Sequence, residues 1–290
     1  MHKYRSVRTV LYADLKETGD IPVRQPFPSA HADRIDPFLL LHHINIEVPT
    51  YIPPRHAGVA PHPHRGFSPV TFIFKGGVHH RDSRGNNSVV REGGTQWMHA
   101  GMGVIHSERP PEDIHETGGV QELLQLWVNS PASRKKDQPA YYPLHAADTP
   151  SLKTEDGRAV VHVVTGELLG TKGPIPTLTP VNTFTAHLKK GGQFYFPIPA
   201  THHAFIYLLD GELRVEGASV YTAFHAVVFN EDGEGFNLIA EEDTRVFIAS
   251  GEPLNENIAQ HGPYVMNTET EVLEAMRDFQ MGKMGILIEE

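Results

Sequence analysis

Apolar residues in this chain come in short runs, not at helical spacing. "PVTFIFKGG", "SVVREGG", "ELLQLWVN", "AVVHVVTGE", "NTFTAHLKKGG", "HAFIYLLDGELRVEG" and "TRVFIASGEPL" are each brief, rich in Val, Ile, Phe or Thr, and bounded by turn formers. That pattern predicts strands and a mainly β protein. "DSRGNN" at 82–87 predicts a turn between two strands. Helical periodicity is confined to "TETEVLEAMRDFQ" near the C-terminus. There Thr268 and Glu271 form a candidate capping box, and Val272, Met276 and Phe279 fall on one face.

A break in composition lies at 129–150, where "NSPASRKKDQPAYYPLHAADTP" is polar and proline-rich with no period. It reads as a linker along the surface. The strand-rich stretches on either side are similar in length, which predicts two stacked β-barrels or sandwiches joined head to tail. The expected division is 1–135 and 136–290. The order "histidines, strand, glycine" occurs in both halves, as "HPHRGFSPVTFIFKGG" and as "THHAFIYLLDG". His202 and His203 are neighbours, however, and on a strand neighbours point to opposite faces. The second half is therefore expected to be a copy without a site.

Composition narrows the function classes. A chain of 290 residues fits one large or two medium domains. It has no cysteine, which excludes disulfides and zinc–thiolate sites. The formal charge of -10 disfavours contact with phosphate backbones, and Arg134-Lys135-Lys136 is too short for a nuclear signal. No run approaches the ~18–20 apolar residues of a membrane helix, and the first twenty residues lack the apolar block of an export signal. A cytoplasmic, monomeric protein is expected, with no direct nucleic-acid or membrane partner. No nucleophile elbow, phosphate loop or dinucleotide fingerprint is present.

Nineteen histidines are the unusual feature. In "PHPHRGF", His62 and His64 stand at i and i+2, so they share a strand face about 6.5–7 Å apart. In "AGMGVIHSE", His106 and Glu108 repeat that spacing, and Gly101 and Gly103 allow a tight approach just before them. Three neutral imidazoles and one carboxylate form an N/O donor set suited to Fe(II), Mn, Ni, Co or Zn. Four ligands in an octahedral shell leave two positions for a chelating substrate, or for substrate and O2. The other candidates read more plainly. Of His79 and His80 only one can face inward; Gln96, Trp97 and Met98 suit core packing; His99 suits solvent or a hydrogen bond. His56 lies on the approach loop, and His115 and His261 lie in loops without partners.

"HPHRGF", "HRDSRGN", "TQWMHAGMGVIHSE" and "GEPLNENIAQHGPYVMNT" together closely resemble the pirin family of the cupin superfamily, over nearly the whole chain. The resemblance implies two tandem cupin (jelly-roll-like) barrels, with one metal, generally iron, in the N-terminal barrel. It carries over His62, His64, His106 and Glu108 as ligands. It implies either a quercetin 2,3-dioxygenase, opening a flavonol with O2 and with Glu108 taking the 3-hydroxyl proton, or a metal-dependent partner of a transcription factor or metabolic enzyme. The chain departs from the family at Ser68-Pro69, where a Glu-Thr beside the site is usual, and at His42, where Asp is more frequent.

Overall fold

The computed structural model describes residues 3–18 and 21–289. Its chain folds into two compact units. One comprises residues 1–16, 24–41 and 149–254, the other 17–23, 42–148 and 255–290. The units are not the sequential halves expected from a cut at 135/136. The N-terminal residues belong with the second barrel and the C-terminal ones with the first.

The unit rich in histidine is built from two facing antiparallel sheets. Strands Val59–His64, Val104–Arg109, Gly77–Asp82 and Asn87–Arg91 lie side by side in that order. Opposite them run Ala140–Leu144, Thr95–His99, Phe67–Lys75, Val120–Asn129 and, from residue 42 onward, the strand Phe38–Glu47. This is the double-sheet barrel of a cupin, and it matches the strands expected from the short apolar runs. The expected linker is only partly one. Ala140–Leu144 pairs with Thr95–His99 at the sheet edge, and Lys135 is buried. The Lys135 ammonium donates to the carbonyls of Gly66 and Val265 and to Asn129 Oδ1 at 2.6–2.8 Å. Burial pulls its pKa down to about 8. It thereby pins the turn that follows His64. That turn requires glycine, because Gly66 has φ +87° and a Cβ there would stand 2.0 Å from the Val265 carbonyl.

The C-terminal helix spans Glu269–Gln280, and the Thr268 hydroxyl caps it by accepting from the Glu271 amide. Val272 and Ala275 are its buried residues. Phe279, expected on the apolar face, is exposed at 38%. A six-residue helix, Glu112–Thr117, has no sequence signal and holds His115, buried with its Nε2 against the Ile52 carbonyl.

The other unit repeats the architecture. A seven-stranded sheet runs from Val7–Tyr12 through His225–Phe229, His203–Leu208, Thr244–Gly251, Val181–Leu188 and Ala159–Thr165 to Ser151–Lys153. A four-stranded sheet faces it. Its interior is apolar: Phe184, Phe196, Phe229, Phe236 and their aliphatic neighbours are almost fully buried, and Phe229 stacks on Phe236 at 4.2 Å. His202 and His203 do diverge. His202 Nδ1 lies 3.2 Å from the Ser250 hydroxyl, and His203 Nδ1 2.8 Å from the Asp36 carbonyl.

Candidate metal centre

Register sets the centre. Val59–His64 pairs antiparallel with Val104–Arg109 so that His106 lies opposite His62 and Val104 opposite His64. Alternation then turns His62, His64 and His106 onto one inner face. Their ring nitrogens lie within 4.8 Å of one another. His62 Nε2 is 3.0 Å from both His64 Nε2 and His106 Nε2. Nitrogens at right angles about an ion at ~2.1 Å stand about 3.0 Å apart, and tetrahedral ones about 3.4 Å. The two spacings from His62 thus fit neighbouring ligands of an octahedral ion.

Protonation agrees with that fit. Burial, then the neighbouring imidazoles, hold His64 and His106 well below the usual histidine pKa. Both are therefore neutral at pH 7, as ligands must be. His62 Nδ1 is 2.8 Å from the Ala60 carbonyl. It donates there, which leaves Nε2 with its lone pair free.

Glu108, the expected fourth donor, projects inward from the same strand, but its carboxylate lies outside the 4.8 Å histidine group. It reaches instead toward the facing sheet. Oε1 accepts from Thr71 Oγ1 at 2.9 Å and from the Gln96 amide; Oε2 accepts from Gln125 Nε2 at 3.0 Å. Those donors form a row. Gln96, Thr71 and Gln125 are direct cross-strand partners on three adjacent strands. A bulge between His106 and Glu108 in the pairing with Val59–His64 accompanies this divergence.

Aromatic groups stand beside the histidines. Trp127 lies at 5.5 Å and Phe67 at 5.1 Å from the His64 ring. Gln125 and Trp127 are half-buried, and the indole N–H donates to Gln125 Oε1 at 3.1 Å, which fixes the amide's orientation. Pro69 pairs with Trp127 and so shares that side. Ser68 turns the other way and lies 2.7 Å from His99 Nδ1.

Several of these residues escaped the sequence reading. Gln96 is buried as expected of core, yet it binds the carboxylate. Gln125 and Trp127 carry the i, i+2 signal and were open to discovery by it. Tyr141 was hidden in the polar stretch; its ring stacks on His80 at 3.9 Å and 6°. Of the adjacent pair, His80 faces inward and is buried, while His79 bonds Asn87 at the surface. His56 is exposed beside Arg55, and His261 is exposed.

Two facing-sheet barrels, one with a three-histidine cluster, define a bicupin protein with a candidate metal centre. The comparisons agree. The Pirin family model matches residues 20–128, and the Pirin C-terminal cupin domain model matches 183–285. A pirin-like protein of Solanum lycopersicum is 35% identical over 283 residues, covering 96% of this chain and 92% of the relative. Pirin-1 of Arabidopsis thaliana is 34% identical, covering 96% and 94%. A solved quercetin 2,3-dioxygenase from Acinetobacter baumannii superposes with a TM-score of 0.91 at 33% identity, covering 98% of this chain and all of that one. The chain belongs to the pirin family. Among the described residues, no helix is long and apolar enough to cross a membrane.

Proposed function

We propose that this chain is a metal-dependent dioxygenase that opens a flavonol ring with O2, releasing carbon monoxide. The observation that carries the reading is the convergence of three imidazoles, with His62 Nε2 at right-angle ligand spacing from both His64 Nε2 and His106 Nε2. His62, His64 and His106 would hold one divalent ion, with Glu108, from the same strand as His106, the remaining candidate donor. Iron is the first candidate, and Zn, Mn, Ni and Co suit the same donors. The ion supplies Lewis acidity, which lowers the pKa of a chelating hydroxyl.

The chain's own groups supply the rest. Glu108 accepts the 3-hydroxyl proton, and its row of donors holds the carboxylate in place to do so. Trp127 and Phe67 offer flat apolar faces beside His64 for an aromatic substrate. The likeness to the quercetin 2,3-dioxygenase of Acinetobacter baumannii supports a flavonol.

The test is protein loaded with Fe(II) and given quercetin under air. Loss of quercetin absorbance with matched O2 consumption and CO release is expected. A fully loaded protein with no turnover would overturn the proposal in favour of a metal-dependent binding protein that regulates a transcription factor or metabolic enzyme.

A further inference from the structure

His106 does not stand alone behind the centre. Its Nδ1 lies 3.4 Å from His80 Nδ1, and His80 Nε2 lies 3.1 Å from Asp82 Oδ2. All three side chains are buried. Strand pairing builds the line: Val104–Arg109 pairs with Gly77–Asp82 so that Glu108 is opposite His80 and His106 opposite Asp82. Tyr141 stacks flat on the His80 ring and fixes its plane.

One assignment of protons satisfies every nitrogen. If His106 Nε2 presents a lone pair to a cation, its proton sits on Nδ1 and needs an acceptor. His80 Nδ1 can accept only if the His80 proton sits on Nε2. Asp82 Oδ2 is the acceptor for that proton. Asp82 is itself fixed in place. Its Oδ1 accepts from the Arg84 and Asn86 amides at 2.9 and 3.1 Å, and its Oδ2 from Asn86 Nδ2 at 2.7 Å. The "DSRGNN" turn thus aims a carboxylate at His80.

We propose that His80 is a positioning residue which, oriented by Asp82, holds His106 in the tautomer and ring orientation that ligates the ion. This rests on the reading that the three histidines bind a cation, and not on the flavonol chemistry. Outer partners of ligating histidines commonly contribute about 10- to 100-fold in metal affinity.

The experiment titrates Ni(II) calorimetrically into the full-length apo-protein and five variants. His80→Ala is expected to weaken binding about 10- to 100-fold. Asp82→Asn keeps the side chain's shape and the two backbone contacts of Oδ1 but turns an amide N–H toward Asn86 Nδ2 and His80 Nε2, which forces the His80 proton onto Nδ1, against His106 Nδ1–H. It is expected to weaken Ni(II) comparably. His80→Gln restores an acceptor that has no ring tautomer, so adding Asp82→Asn to it costs little further. Packing loss alone would not give that rescue. Nitrogen-15 spectra of the apo-protein give an independent readout: His106 is expected protonated at Nδ1 in wild type and shifted toward Nε2 in Asp82→Asn. Equal Ni(II) affinity in wild type, His80→Ala and Asp82→Asn would overturn the inference. Failure of wild type to bind Ni(II), or binding that survives His62→Ala, would instead overturn the metal reading beneath it.

Discussion

The two barrels share an architecture and fill it in opposite ways. The second closes its interior with Phe184, Phe196, Phe229 and Phe236. The first gathers His62, His64, His106, Glu108, Gln96, Thr71 and Gln125 between its sheets. Burying phenylalanine stabilises the fold directly, by about 25 cal/mol per Å² removed from water. Burying imidazole nitrogens lone pair to lone pair costs free energy unless a ligand satisfies them. One barrel therefore carries a candidate binding centre and the other carries packing.

Substitutions in each barrel should separate these roles. The largest effect is expected for His106→Ala, which removes one of three converging nitrogens. It should abolish stoichiometric Ni(II) binding by calorimetry and leave the second barrel's thermal transition in place. Phe236→Ala in the second barrel should cost about 3–5 kcal/mol in denaturant unfolding, with the metal stoichiometry of the folded protein unchanged. Metal loss in that variant would show that the barrels are not divided in this way.

A smaller change is expected at the amide row. Gln125→Leu removes the donor to Glu108 Oε2 and the acceptor of the Trp127 indole. It should lower kcat for quercetin about 10- to 100-fold with little change in stability. The smallest effect concerns pH. Burial, then Arg5 and His203, lowers His202 from 6.5 to about 4. The folded state thus binds fewer protons than the unfolded chain between those values. The stability linked to His202 is complete above pH 6.5 and falls as pH drops toward 4. His202→Gln should flatten unfolding free energy against pH in that window without altering Ni(II) affinity.

Much of the first barrel was legible in the sequence because its cues are local. The i, i+2 spacing of His62 with His64 fixes a shared face on any strand. Gly101, at φ +47°, sits where a Cβ would stand 2.1 Å from the Asp137 carbonyl, so the glycine turn before His106 is a backbone requirement. The turn at 82–87 and the capped helix at Thr268 follow the same logic. What stayed hidden depends on partners distant in sequence. Tyr141 sits in a strand with little apolar pattern, held at a sheet edge by pairing with Met98. Lys135 looked like surface charge and is buried because three oxygens surround it. The assignment of residues 255–290 to the first barrel depends on contacts such as Arg65 with Asp278 at 3.2 Å, which no periodicity announces. Phe279 satisfied the helical spacing and is nevertheless exposed, since Ala275 rather than its own ring meets the barrel.

Metal binding by the three histidines is tested by a crystal structure of the Ni(II)-loaded protein with anomalous data at the nickel edge. One strong peak is expected about 2.1 Å from the Nε2 atoms of His62, His64 and His106, with at least one further position held by exchangeable solvent. A peak away from those nitrogens, or a nickel whose every position is taken by protein atoms, would contradict that expectation.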